Sequence, residues 1–182
     1  GQIWVKSDTP SSLYHTDDAG TDFRINGITL SAENTTTGGS TLDFTSIPPG
    51  VKQIHIMMQT ISGSGTSDMI VQIGDSGGFE TSGYVGASWS ANTTNQNYTD
   101  GFGIHANHSA SNTYESVVSL YLADSSNNTW CSNGVTGRSD SGGAGIFSGT
   151  KSLSGVLTQV RVTHQNGSDT IDANSGISIQ FH

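Results

Sequence analysis

Three sets of residues have side chains and spacings that bear on reactivity or binding. The first is Gly74-Asp75-Ser76-Gly77-Gly78. A serine in a glycine-flanked turn becomes a nucleophile when a histidine reaches its hydroxyl, a carboxylate orients that histidine and nearby amides hold the oxyanion. The histidines that precede Ser76 are His15, in LYHTDD, and His55, inside an alternating strand. The second set is His105 and His108, in HANH, where two imidazoles separated by two residues can converge on one ion. The pattern supplies no third ligand, so these two are the only metal candidates, set against a plain role as polar loop residues. The third set is Tyr84, Trp89 and Tyr98, which lie close to the polar stretch Ser90–Asp100. Aromatic rings beside Asn, Ser and Thr side chains suit a sugar, whose C–H faces stack on rings while its hydroxyls bond amides, although core packing explains such rings as well. Asp17 with Asp18, and Asp169 with Asp172, lack the ligand-dense spacing of a calcium loop and read as turn residues. Cys131 reads as a small buried hydrophobe.

The glycine-serine string is the one found around the nucleophile of trypsin-like proteases, but neither His15 nor His55 has the sequence context of their catalytic histidine. Those enzymes also need two barrels, and usually disulfides, whereas this chain has 182 residues and a single cysteine. The bland alternative is a tight strand-ending turn whose glycines supply positive φ. Composition narrows the field further. Only 32% of residues are hydrophobic and 12% charged, and 24 glycines accompany abundant Ser, Thr and Asn, a mixture that suits short strands and many turns. Fifteen acidic residues against six scattered basic ones give a net charge of −9, which argues against nucleic acid as a partner. No apolar run is long enough to span a bilayer, and Gly1 does not open a secretory leader pattern. No cofactor is implied.

The elements that must position these residues are strands. Val51–Ile61 alternates Ile54, Ile56 and Met58 with His55, Met57 and Gln59. Met69–Ile73 follows after the turn SGSGTS and is expected to pair with it as a central hairpin. Ile3–Lys6, Leu13–Thr16 and Phe23–Ile25 form a meander too small to be stable alone, so Ile3, Trp4, Val5, Leu13, Tyr14, Phe23 and Ile25 are expected to dock or oligomerise. Residues 34–40, NTTTGGS, read as a linker between this appendage (1–33) and a body (41–182). Tyr114–Ala123 carries apolar groups on both faces and is expected deep in the body; Val156–His164 and Ile177–Phe181 also alternate. The fold expected is all-β: an antiparallel sandwich of jelly-roll type with a short N-terminal β-meander.

SIPPGVKQIHIMMQTISGSGTSDMIVQIGDSGGFETSGY, SLYLADSSNNTW, the KSLSG at Lys151–Gly155 and LTQVRVTHQNGSDTIDANSGISIQF together resemble a group of phage and prophage virion proteins. The opening IWVKSDTPSSLYHTDDAGTDFRI is similar to short modules at the start of phage fibre and tail-associated chains. Phe79, Ser82 and Ala173-Asn174 depart from the commoner residues of these motifs. The resemblance implies a non-enzymatic fibre, spike or decoration component. Such a protein would be made in a bacterial cytoplasm and built into the virion with other virion proteins, and it could touch a host surface glycan. A sandwich that buries one sheet edge or face around an axis favours a homotrimer, with dimeric or monomeric decoration as the alternatives. The other expectations are a carbohydrate-binding adhesin module and, last, a serine hydrolase using Ser76.

Overall fold

The computed structural model describes residues 1–7, 12–25, 29–31, 34–91, 95–139 and 143–182. Residues 8–11 and 140–142, which the sequence reads as a turn and as part of a flexible loop, and the side chain of Phe23 lie outside the described residues. Every regular element described is a strand. In chain order these are β1 (Gln2–Lys6), β2 (Ser12–Thr16), β3 (Asp22–Arg24), β4 (Thr29–Leu30), β5 (Asn34–Thr35), β6 (Thr41–Phe44), β7 (Gln53–Ile61), β8 (Met69–Asp75) and β9 (Gly78–Phe79). They continue with β10 (Val85–Ser90), β11 (Gln96–Tyr98), β12 (Phe102–Gly103), β13 (Tyr114–Asp124), β14 (Thr129–Arg138), β15 (Ala144–Ser152), β16 (Gln159–His164) and β17 (Gly176–Phe181).

Contacts divide the chain into a small N-terminal unit, 1–29 with His182, and a body, 30–181. In the first unit β1, β2 and β3 form the expected antiparallel meander. Trp4 stacks on Tyr14 at 4.9 Å and its indole N–H donates to Thr16 Oγ1, so one face is organised by an aromatic pair. Of the other apolar residues here, Ile3, Val5 and Leu13 are exposed and Ile25 is half-buried.

The body is a two-layer antiparallel sandwich. One sheet runs β11-β10-β15-β14-β13-β7-β17-β4 with β5 also paired to β17; the other runs β12-β8-β16-β6 with β9 paired to β8. Alternation sets which side chains meet between the layers. β7 points Ile54, Ile56, Met58 and Ile61 inward, β13 adds Tyr114, Val118 and Leu120, and β17 adds Ile177 and Ile179. They face Met69, Val71 and Ile73 of β8 and Val160 and Val162 of β16 across one continuous core.

Three expectations change. β7 and β8 do not form a hairpin: β7 pairs with β13 and β17, β8 with β16, β12 and β9, and the 62–68 turn carries the chain from one layer to the other. A period of two fixes a strand's buried face but not its partner, and β8, buried along its whole length, belongs inside the second sheet. Residues 34–40 are not a linker but part of the body. Asn34–Thr35 pairs with β17, Thr36 is buried with its hydroxyl donating to the Asp172 carbonyl, and Gly39 accepts from Ile171 N–H. Finally, β13 is buried on one face only, with Val117 and Tyr121 exposed. Its register with β7 shifts at a bulge, where Thr60 takes a positive φ of 52° and its N–H donates to the Glu115 carboxylate.

Ile56 lies in register between Val118 and Ile179 and is fully buried. Truncating it removes contacts to both flanking strands and to the opposing sheet, so Ile56→Ala should lower the unfolding free energy by about 3 kcal/mol in urea titrations.

Candidate functional site

The outer face of the large sheet carries its most unusual feature. Met57 is paired with Val117, Val117 with Val135, Val135 with Ile146 and Ile146 with Trp89. The result is one apolar row lying across five adjacent strands, about 19 Å at ordinary strand spacing. Val117 is 48% exposed, Val135 60%, Ile146 56% and Trp89 46%, so four of its five members face outward over half their surface or nearly so. On one side of the row lie His55, Ser119, Asn133, Ser148 and Ala87; on the other lie Glu115, Gly137 and Ala144. Glu115 is the one charged side chain among these, and it is tied to Thr60. The small residues let the face dip into a groove between Met57, Val117 and Val135.

A second groove, of about 440 Å³, lies at the Trp89 end and is lined by Ala87, Trp89, Asn95, Asn97, Ile146 and Ser148. It lies on the same outer face, where β10 meets β11 and β15. Of the three aromatic residues singled out for sugar contact, only Trp89 belongs to it as an exposed ring. Tyr84 and Tyr98 are each 1% exposed, which removes them from any surface. The Tyr84 hydroxyl accepts from Ile73 N–H and donates to the Glu80 carbonyl, while its ring meets Phe102 edge-on. The Tyr98 hydroxyl donates to Asp68 at 2.8 Å and is within 3.0 Å of Ser88 Oγ. Burial, more than any other cause, pushes both phenols well above their ordinary pKa. The Ser90–Asp100 stretch is thus no simple loop, since β11 pairs back onto β10 and tucks Tyr98 inside; residues 92–94 lie outside the described residues.

Gly74–Gly78 is the β8–β9 turn. Gly78 takes a φ of 127°, a conformation side chains resist, which explains the glycine there without reference to reactivity. The Asp75 carboxylate accepts from Gly77 N–H at 2.7 Å and from Ser154 Oγ at 2.9 Å, so it shapes the turn. Ser76 is exposed at its tip.

The histidines of HANH are not loop-surface residues. His105 is 1% exposed and packs on Tyr114 at 5.1 Å; His108 is 3% exposed and stacks on the same ring at 4.7 Å. His108 also meets His164, the last residue of β16, with ring centroids 5.1 Å apart. The sequence pattern did not single out His164, because in an alternating strand it occupies what reads as an ordinary core position. Burial, followed by the neighbouring His164 and His105 rings, lowers the His108 pKa to about 4. Asp68 organises this end of the sandwich: its carboxylate accepts from the His108 main-chain N–H and the Tyr98 hydroxyl, both at 2.8 Å. Among the described residues no three His, Cys, Asp or Glu side chains form a cluster able to hold an ion. Cys131 is partly buried on β14.

Comparison with known protein families, curated proteins and solved structures gives no match.

Removing the Asp68 carboxylate leaves a buried phenol and a main-chain amide without their acceptor. Asp68→Ala should therefore destabilise the protein by about 3 kcal/mol in urea unfolding.

Proposed function

We propose that the chain is a non-enzymatic structural component of a phage particle, a fibre, spike or decoration subunit, acting by contact through the outer face of its large sheet. The observation that carries this reading is the row Met57–Val117–Val135–Ile146–Trp89. A solvated antiparallel face ordinarily places polar side chains at such positions, and a continuous exposed apolar stripe marks an interaction site. Its near absence of charge fits burial, because an unpaired charge taken out of water costs several kcal/mol. The contrast with the rest of the chain, which has 15 acidic and 6 basic residues, is sharp.

The N-terminal unit supports the same reading. A three-stranded sheet this short is marginal by itself, and Ile3, Val5 and Leu13 leave one of its apolar surfaces uncovered. This is the part of the chain that resembles the opening modules of phage fibre proteins. We read the sandwich as of jelly-roll type, since the chain repeatedly changes sheet between β5 and β17. We read its assembly as threefold, with one face repeated around an axis.

Trp89 favours a second reading, a carbohydrate-binding adhesin module. Its half-exposed ring shares an uncharged groove with Asn95, Asn97 and Ser148, the groups that would bond a neutral sugar's hydroxyls while the ring stacks on its C–H face.

The two readings separate by substitution. Val135→Lys places an ammonium in the centre of the row without disturbing the core. Light scattering should give wild type at three times the mass of the chain and the variant at the mass of one, with unchanged circular dichroism. A wild type that is monomeric at its highest soluble concentration contradicts the assembly reading. Trp89→Ala should leave adsorption to host cells unchanged; lost adsorption with intact assembly would favour the adhesin.

A further inference from the structure

His108 lies in the segment between β12 and β13 and His164 at the end of β16, yet their side chains converge on one small volume. The point that a side-chain carbon on Gly63 would occupy is 2.5 Å from His164 Nε2 and 3.0 Å from His108 Nε2. Glycine at 63 is what allows both rings to come this close. The two side chains are 1% and 3% exposed, and neither Nε2 has a hydrogen-bond partner among the described residues. A buried ring nitrogen without a partner forfeits its hydration, and two adjacent ones ask for an occupant that satisfies both.

The rings are also oriented as ligands. His164 Nδ1 lies 2.7 Å from the Ser67 carbonyl oxygen, which can only accept. In the neutral ring the proton is therefore on Nδ1 and the lone pair on Nε2, the arrangement that holds metal-binding histidines in place. His108 is fixed by its stacking on Tyr114 and by the Asp68 bond to its main-chain N–H. The Asp169 carboxylate, packed against Gly65, is close enough to act electrostatically on both imidazoles and favours positive charge between them.

We infer that His108 and His164 form a two-imidazole site for one borderline transition-metal ion of the zinc, nickel or copper class, with water completing its coordination. Imidazole nitrogens select these ions over magnesium and calcium, which require oxygen donors. With two protein ligands the site binds less tightly than the four-ligand structural zinc sites. It lies among residues of the core and its adjoining turn, so it is independent of the outer-face reading.

The test is a zinc sulfate titration of EDTA-stripped, full-length protein, followed by NMR of the imidazole carbon-bound protons. The His108 and His164 resonances should move together and saturate at one zinc per chain. His108→Gln and His164→Gln should each weaken binding more than about tenfold, while His55→Gln should leave it unchanged. The wild-type titration stands by itself should either variant fail to fold. Movement of other imidazoles only, movement of just one of the pair, or no movement in excess zinc overturns the site.

Discussion

The body rests on the register that lays β7 between β13 and β17. Because Ile56 is opposite Val118 on one side and Ile179 on the other, and Ile54 opposite Leu120, the inward positions of three strands make one apolar plate. β8 and β16 close over it with Met69, Val71, Ile73, Val160 and Val162. In a chain that is only 32% hydrophobic, these inward positions form the centre of one continuous buried apolar cluster. Slipping any of these strands by one residue would turn the plate to solvent, so the hydrophobic effect fixes register as well as layering.

The same register determines the outer face. Once Val118 and Ile56 point inward, Val117 and Met57 must point outward, and the neighbouring pairings carry the line on through Val135 and Ile146 to Trp89. In such a polar chain these residues are hard to explain as accidents of composition. The constraint that builds the sandwich also aligns an uncharged apolar row on its outer face, and the proposed function takes that row as the contact surface. The end of the sandwich where β11, β16 and the 62–68 turn meet uses a different chemistry. There Tyr98, Tyr114, His105, His108 and His164 are buried beside the half-buried Asp68 in a polar cluster held by a few short hydrogen bonds.

Strands with a clear apolar face were legible in the sequence. β7, β13, β16 and β17 all announce themselves by alternation, and the N-terminal meander by short apolar runs set between turns. Their partners were not legible, because alternation is a property of one strand whereas pairing depends on the whole sheet; hence β7 and β8 looked like a hairpin and are in separate layers. β15 had no visible signal. Its inward positions are Gly145, Phe147, Gly149 and Lys151, a single large hydrophobe between two glycines and a lysine whose ammonium is paired with Glu80 at 2.5 Å. The candidate site was legible only in fragments. Trp89 could be named from its polar surroundings, but Tyr84 and Tyr98 look alike in sequence and are buried, each with its hydroxyl satisfied by a hydrogen-bond partner that no local pattern encodes. The row and the His108–His164 pair join residues far apart in the chain and exist only once register is known.

The most direct measurement of the central claim is hydroxyl-radical footprinting of the protein, dilute and assembled, read residue by residue on the outer face. The account predicts that Trp89, Met57 and Ile146 lose most of their labelling on assembly while Val156, exposed on the connection before β16, keeps its own. Equal labelling of the row in both states would contradict it.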